Sequence, residues 1–97
     1  MISTLMTATA NATLTPYERL KAHYGQHLDC ITTGATLEAI TLIGLCLCND
    51  NKPSRIVNCG GFYNNLLSFH TFTQVVCDDK LTRTDLLILL RYLAETL

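Results

Sequence analysis

Charge is scarce in this sequence. Charged side chains make up 15% of the 97 residues and hydrophobic side chains 48%, whereas globular domains usually carry about 25% charged residues. The composition excludes disorder along the whole chain, because disordered chains combine low hydrophobicity with high net charge. The length fits one domain with a hydrophobic core of its own. The shortage of charge is a first indication that another protein covers part of the surface.

Basic clusters and long apolar runs are missing as well. The seven Lys and Arg residues are scattered, and the formal net charge is −1. Nucleic-acid-binding proteins usually carry a basic stripe that neutralises phosphates, so nucleic acid is not expected as a partner. The most apolar run, at 39–48, is half of the about 20 residues that a membrane-spanning helix needs. We therefore expect no membrane span.

A secretion signal is not evident in the first 15 residues, which have no basic segment and no long apolar run. The chain has five cysteines. An odd number of cysteines without such a signal indicates free thiols in a reducing compartment, so we expect cytoplasmic or nuclear localisation. Residues 1–14 are uncharged and have no clear periodicity. They are predicted to form a flexible arm ahead of a single helical domain at 15–97.

Two helix starts are clear in the sequence. The segment Thr15-Pro16-Tyr17-Glu18 combines an N-cap threonine, a proline in the first turn and a glutamate that closes a capping box. Apolar residues at spacings of three and four predict that this helix continues to about residue 31. Thr82 and Asp85 form a similar start, and the leucine-rich segment after them predicts a helix to the end of the sequence.

The middle of the chain allows two interpretations. The run 40–48 is apolar nearly all round and fits either a buried helix or a buried strand, although its length favours a helix at 35–48. Helical spacing predicts another helix at 62–77, 71–76 is β-prone, and 55–57 looks extended. We predict an all-α fold, a small bundle of about four helices. The alternative is an α+β fold with a short hairpin sheet from strands near 40–48, 55–59 and 71–77.

Two patterns indicate an interface with another protein. The segment 56–77 contains no Asp, Glu, Lys or Arg, and interface centres are depleted in charge and enriched in aromatic residues. Residues 86–90 are five consecutive large aliphatics, which point around the whole circumference of a helix. A tight bundle around this helix would also explain them. The predicted interface residues are Phe62, Tyr63, Leu66, Phe69, Leu86, Leu89, Leu90 and Leu93.

A zinc site is the alternative hypothesis. His23, His27 and Cys30 would share one face of the first helix if it continued to residue 31. Cys46 or Cys48, or else Cys59, would supply the fourth ligand of a tetrahedral site, and the candidate set is His23, His27, Cys30 and Cys46. The H-x3-H followed by a cysteine pair resembles the HHCC pattern of small zinc-bound helical domains. The pair here is C-x-C instead of C-x2-C, and its side chains would point about 200° apart on a helix. Thiols that simply fill the core are the plainer interpretation, so no cofactor is predicted.

A cysteine hydrolase is the third hypothesis. Cys59 precedes Gly60-Gly61 and a predicted helix start, and a helix N-terminus lowers the pKa of a thiol. His23, His27 or His70 would then serve as the base. Any chain with five cysteines and three histidines offers such pairs. No catalytic residue is therefore predicted, and the chain is not expected to be an enzyme.

The predicted function is a non-enzymatic protein–protein interaction or regulatory module. Its expected partner is another protein chain, above all a second copy of itself in a homodimer or higher oligomer. The length, the low charge and the free cysteines would suit a small accessory protein, for example a viral one.

Overall fold

Six helices make up the structure, a computed structural model that describes residues 15–59 and 63–97. In chain order the helices are α1 (Pro16–Tyr24), α2 (Thr33–Asn49), α3 (Pro53–Cys59), α4 (Asn64–Leu67), α5 (His70–Val76) and α6 (Arg83–Glu95). Neither range contains a strand, and none of the helices found there is long and apolar enough to cross a membrane. The all-α prediction is confirmed. The α+β alternative is wrong, because its three strands fall in α2, α3 and α5. The arm predicted at 1–14 lies outside the described residues.

Helices α2 and α6 form the centre of the fold. α2 contacts α3, α4 and α6, while α1 contacts α5 and α6. Among the wholly buried side chains are Leu42 and Ile43 of α2 and Leu89 and Leu93 of α6. Full burial of an aliphatic side chain of this size contributes about 1.5–3 kcal/mol. The α2–α6 contact therefore contributes a large share of the core.

The first helix is shorter than predicted. α1 ends at Tyr24, because Gly25 follows it with a φ of 90°, a conformation that favours glycine. Residues 25–30 form turns instead of helix. Leu28 still reaches the core from these turns and exposes only 3% of its surface. The apolar spacing thus identified a buried residue, but the helix predicted up to residue 31 is wrong.

Both predicted capping boxes are present. Thr15 Oγ1 accepts a hydrogen bond from the Glu18 amide at 3.3 Å, and Thr82 Oγ1 accepts one from the Asp85 amide at 3.1 Å. The Asp85 carboxylate in turn accepts a bond from the Thr82 amide at 3.0 Å. These starts are local in sequence, and the predicted starts of α1 and α6 are confirmed.

The segment 53–77 departs most from the prediction. Residues 55–57 lie in α3 instead of an extended segment, and the single helix predicted at 62–77 is divided into α4 and α5. Neither α4 nor α5 has a side-chain cap from its own N-cap residue. The break between them lies at Ser68 and Phe69, where the chain turns.

Distant side chains cap the three short helices. The Tyr24 hydroxyl of α1 accepts a hydrogen bond from the Phe72 amide of α5 at 3.0 Å. The Asp79 carboxylate accepts one from the Ser54 amide of α3 at 3.1 Å. Glu38 of α2 does the same for α4, as described below. The arrangement of this segment therefore depends on tertiary contacts that no local sequence pattern reveals.

Candidate interaction surface on helix α2

One side of α2 is open to solvent although the helix is almost entirely apolar. Leu37, Thr41 and Leu45 follow one another at intervals of four and are exposed, and the two leucines expose 49% and 39% of their surfaces. Cys48 is exposed as well. At 100° per residue these four positions lie within an arc of about 80°. We call Leu37, Thr41, Leu45 and Cys48 the outer face of α2.

A shallow groove lies along this outer face. It has a volume of about 290 Å³ and is lined by Leu37, Glu38, Thr41, Leu45 and Tyr63. Tyr63 is 5% exposed and forms one wall. Burial raises the pKa of the Tyr63 phenol above its usual value of 10.0, so this wall is uncharged at neutral pH. The groove is therefore suited to an apolar side chain of a partner.

Glu38 is the one charged residue of α2, and α4 engages it. Its carboxylate accepts hydrogen bonds from the backbone amides of Asn65 at 3.1 Å and Leu66 at 3.2 Å. The side-chain amide of Asn65 donates a further short bond to it. A carboxylate at a helix N-terminus satisfies amides that have no partner within the helix. Glu38 therefore serves α4, and the outer face itself carries no charge.

Gly44 lies next to the outer face and leaves the backbone of α2 open. A methyl group placed on it would have no neighbour within 4 Å among the residues that the structure describes. Gly34 differs, because a methyl group there would lie 3.2 Å from the side-chain nitrogen of Asn65. Packing inside the domain thus explains the glycine at 34 but not the one at 44. Glycine in a helix interior is less stable than alanine by about 0.5–1 kcal/mol.

The exposed side of α6 is apolar only in part. Leu87 and Ile88 expose 48% and 46% of their surfaces. They are flanked along the helix by Arg83, Arg91 and Glu95, and Arg91 forms an exposed ion pair of 3.3 Å with Glu95. Charged groups of both signs therefore surround these two aliphatic side chains, unlike those of α2.

Most of the predicted interface residues lie inside the domain. Leu66, Leu89 and Leu93 have no exposed surface, and Tyr63 and Leu86 expose 5% and 6%. Phe69 and Leu90 are partly buried and pack against the core, and Phe62 lies outside the described residues. That these residues form an interface remains a prediction. In this conformation a partner would meet α6 mainly through Leu87 and Ile88.

His23, His27 and Cys30 do not share a helix face. His27 and Cys30 lie in the turns after α1, so the premise of one continuous helix is wrong. His23, His27 and Cys30 are exposed, whereas Cys46 is buried in the core. In the ranges 15–59 and 63–97, no three His, Cys, Asp or Glu side chains lie close enough to hold a metal ion.

Cys59 is the last residue of α3. The sequence predicted a helix start at about residue 62, after Gly60-Gly61, and the next helix that the structure describes is α4, which begins at Asn64. An activated thiol at Cys59 stays a prediction.

A polar cleft lies where α2 ends and α6 begins. It has a volume of about 360 Å³, and Lys52 and Arg83 are among its lining residues. Lys52 Nζ donates a hydrogen bond to the Asp79 carbonyl at 3.3 Å, and Arg83 donates one to the Leu47 carbonyl at 3.3 Å. Both cations thus join neighbouring segments, and the cleft is better explained as part of the fold.

The comparison of the chain with protein-family models, curated proteins and solved structures finds no match. Sequence reasoning missed the outer face because it treated α2 as apolar all round. Thr41 and Gly44, small residues within a run of large aliphatics, were the available signal.

Proposed function

We propose that the chain is a non-enzymatic protein–protein interaction module that self-associates through the outer face of α2. The exposure of Leu37 and Leu45, about two turns apart on an uncharged helix face, supports this most. Complete burial of a leucine contributes about 1.5–3 kcal/mol, so covering the exposed half of each contributes about 1 kcal/mol. A partner that covers this face gains that free energy, and the Glu38 carboxylate beside the face is already hydrogen-bonded to the amides of α4.

The absence of charge favours a second copy as the partner. In a two-fold dimer the same surface of both copies is in contact, so a charged residue near the axis lies close to the same residue of the second copy. Like charges brought together in an interface are strongly unfavourable. The outer face of α2 avoids this repulsion, whereas a two-fold contact through α6 would bring together Arg83 and Arg91 from both copies. Among the helix faces described, that of α2 is thus the better suited to self-association.

The expected association is weak. Two copies bring four half-exposed leucines, which together contribute about 4 kcal/mol, and the Tyr63 groove adds further contact. Contacts that bury less than about 1,200 Å² in total belong to the weak and transient class. A gain of about 4 kcal/mol corresponds to a Kd of about 1 mM, so we expect a Kd of that order.

Sedimentation velocity over a concentration series tests this function. The decisive variant is Leu37→Glu, and Leu87→Glu is its matched control, because the two leucines are exposed to 49% and 48%. Both variants should keep the circular dichroism spectrum of the wild type. We expect dimer formation by the wild type and Leu87→Glu but not by Leu37→Glu. A wild type that stays monomeric up to about 1 mM, or an assembly that only Leu87→Glu disrupts, would contradict the proposal.

A further inference from the structure

We infer that the two α2 helices of the dimer pack antiparallel, with Thr41 of each copy seated on Gly44 of the other. This inference rests on the proposed self-association and adds the contact that forms its centre. Gly44 lies within a 17-residue helix, where glycine is unfavourable. Within the described part of the chain, nothing approaches its open side. The close approach of a second backbone is a physical reason for glycine at such a position.

The pattern of side chains along α2 supports this arrangement. Leu37, Thr41 and Leu45 form one ridge at intervals of four, and positions 40, 44 and 48 form the neighbouring ridge. The groove between the two ridges is most open at Gly44, which has no side chain. In the commonest class of helix packing, such ridges of one helix lie in the grooves of the other. The ridge of one copy would therefore be centred with Thr41 over Gly44 of the second copy.

The antiparallel direction follows from size and from the helix dipoles. It places Thr41 opposite Gly44 and Leu37 opposite Cys48, a larger side chain against a smaller one in each case, whereas a parallel pair in register places Gly44 opposite Gly44 and leaves a gap. Aligned dipoles of parallel helices also repel, whereas antiparallel dipoles attract. The resulting contacts across the axis are Leu37 with Cys48, Thr41 with Gly44, and Leu45 with Ile40.

Substitutions at Gly44 are expected to move folding and association in opposite directions. Gly44→Ala should raise the unfolding temperature of the monomer by about 2–8 °C, because it improves helix propensity and meets no clash. Gly44→Leu should raise the Kd of the dimer about tenfold to a hundredfold, since its side chain occupies the place of Thr41. A glycine required only by the monomer would instead give a lower unfolding temperature in Gly44→Ala.

Cross-linking with a short bismaleimide tests the register. In the antiparallel dimer the two Cys48 residues lie about 16 Å apart along the helices, whereas position 37 lies opposite Cys48 of the second copy. Leu37→Cys should therefore yield a cross-link between positions 37 and 48 of different copies, identified by peptide mass spectrometry, and the control Leu87→Cys should not link position 87 to 48.

The outcomes separate the inference from the function on which it rests. A dimer that Leu37→Glu disrupts, but that links Cys48 to Cys48 or is unaffected by Gly44→Leu, overturns the antiparallel contact and leaves self-association through α2 intact. A wild type that never dimerises overturns both.

Discussion

Replacement of Glu38 tests the cap that α2 supplies to α4. The carboxylate accepts bonds from the amides of Asn65 at 3.1 Å and Leu66 at 3.2 Å. A hydrogen bond to a charged group contributes about 1.5–3 kcal/mol, and the loss of an N-cap side chain costs about 0.5–2 kcal/mol. The bonds share one partly exposed carboxylate, so they are not additive. We expect Glu38→Ala to lower the free energy of unfolding by about 2 kcal/mol.

Urea denaturation at neutral pH measures this loss. For a domain of this size, 2 kcal/mol corresponds to a fall of about 8–16 °C in the unfolding temperature. Glu38→Gln keeps an acceptor oxygen but loses the charge, so its loss should be about 1 kcal/mol. Glu95→Gln is the control, because Glu95 is exposed and its partner Arg91 is exposed as well. A surface pair of this kind contributes about 0–1 kcal/mol.

The result that would refute this reasoning is a Glu38→Ala variant whose free energy of unfolding equals that of Glu95→Gln. Amide exchange gives an independent measurement. Asn65 and Leu66 should lose protection in Glu38→Ala, whereas the amides of α6 should keep theirs unless the whole domain unfolds.

Three further predictions concern other contacts of the fold. Tyr24→Phe removes the acceptor of the Phe72 amide and should lower the free energy of unfolding by about 1 kcal/mol in urea denaturation; an unchanged value would exclude this cap. The Ser54 hydroxyl and amide hold the pKa of Asp79 below its usual 3.8. The stabilisation by Asp79 is therefore present above pH 3.8 and lost as the pH falls through its pKa in the folded state, so Asp79→Asn should lose stability relative to the wild type at neutral pH and much less in acid. Burial raises the pKa of Cys77 to about 11. At pH 8 the fraction of Cys77 present as thiolate is therefore about a hundred times smaller than for a thiol with a pKa of 9.0. Alkylation followed by mass spectrometry should modify exposed Cys30 long before Cys77, and equal rates would contradict this burial.

Sequence reasoning succeeded where structure is determined locally. The starts of α1 and α6 were predicted because each capping box lies within four consecutive residues. It failed at 53–77, where three short helices depend on Asp79, Glu38 and Tyr24 for their caps. The partners in two of these caps lie 25 and 48 positions apart in the chain. A pattern of neighbouring residues contains no information about such pairs. The sequence therefore predicted one helix at 62–77, where the structure has two.

The candidate site was harder to predict than the fold. Periodicity cannot show which side of an apolar helix is covered, and α2 was therefore expected to be buried all round. The structure buries Leu42 and Ile43 and exposes Leu37 and Leu45. Helix α6 packs against both α1 and α2. This packing buries Leu86, Leu89 and Leu93, which the sequence had predicted to form the interface.

The most direct test of the central claim is methyl NMR over a dilution series. We expect the methyl resonances of Leu37 and Leu45 to shift with concentration along one binding curve, while those of Leu87 and Ile88 stay constant. Concentration-dependent shifts at Leu87 and Ile88, with constant resonances for Leu37 and Leu45, would contradict that claim and would place the interface on α6.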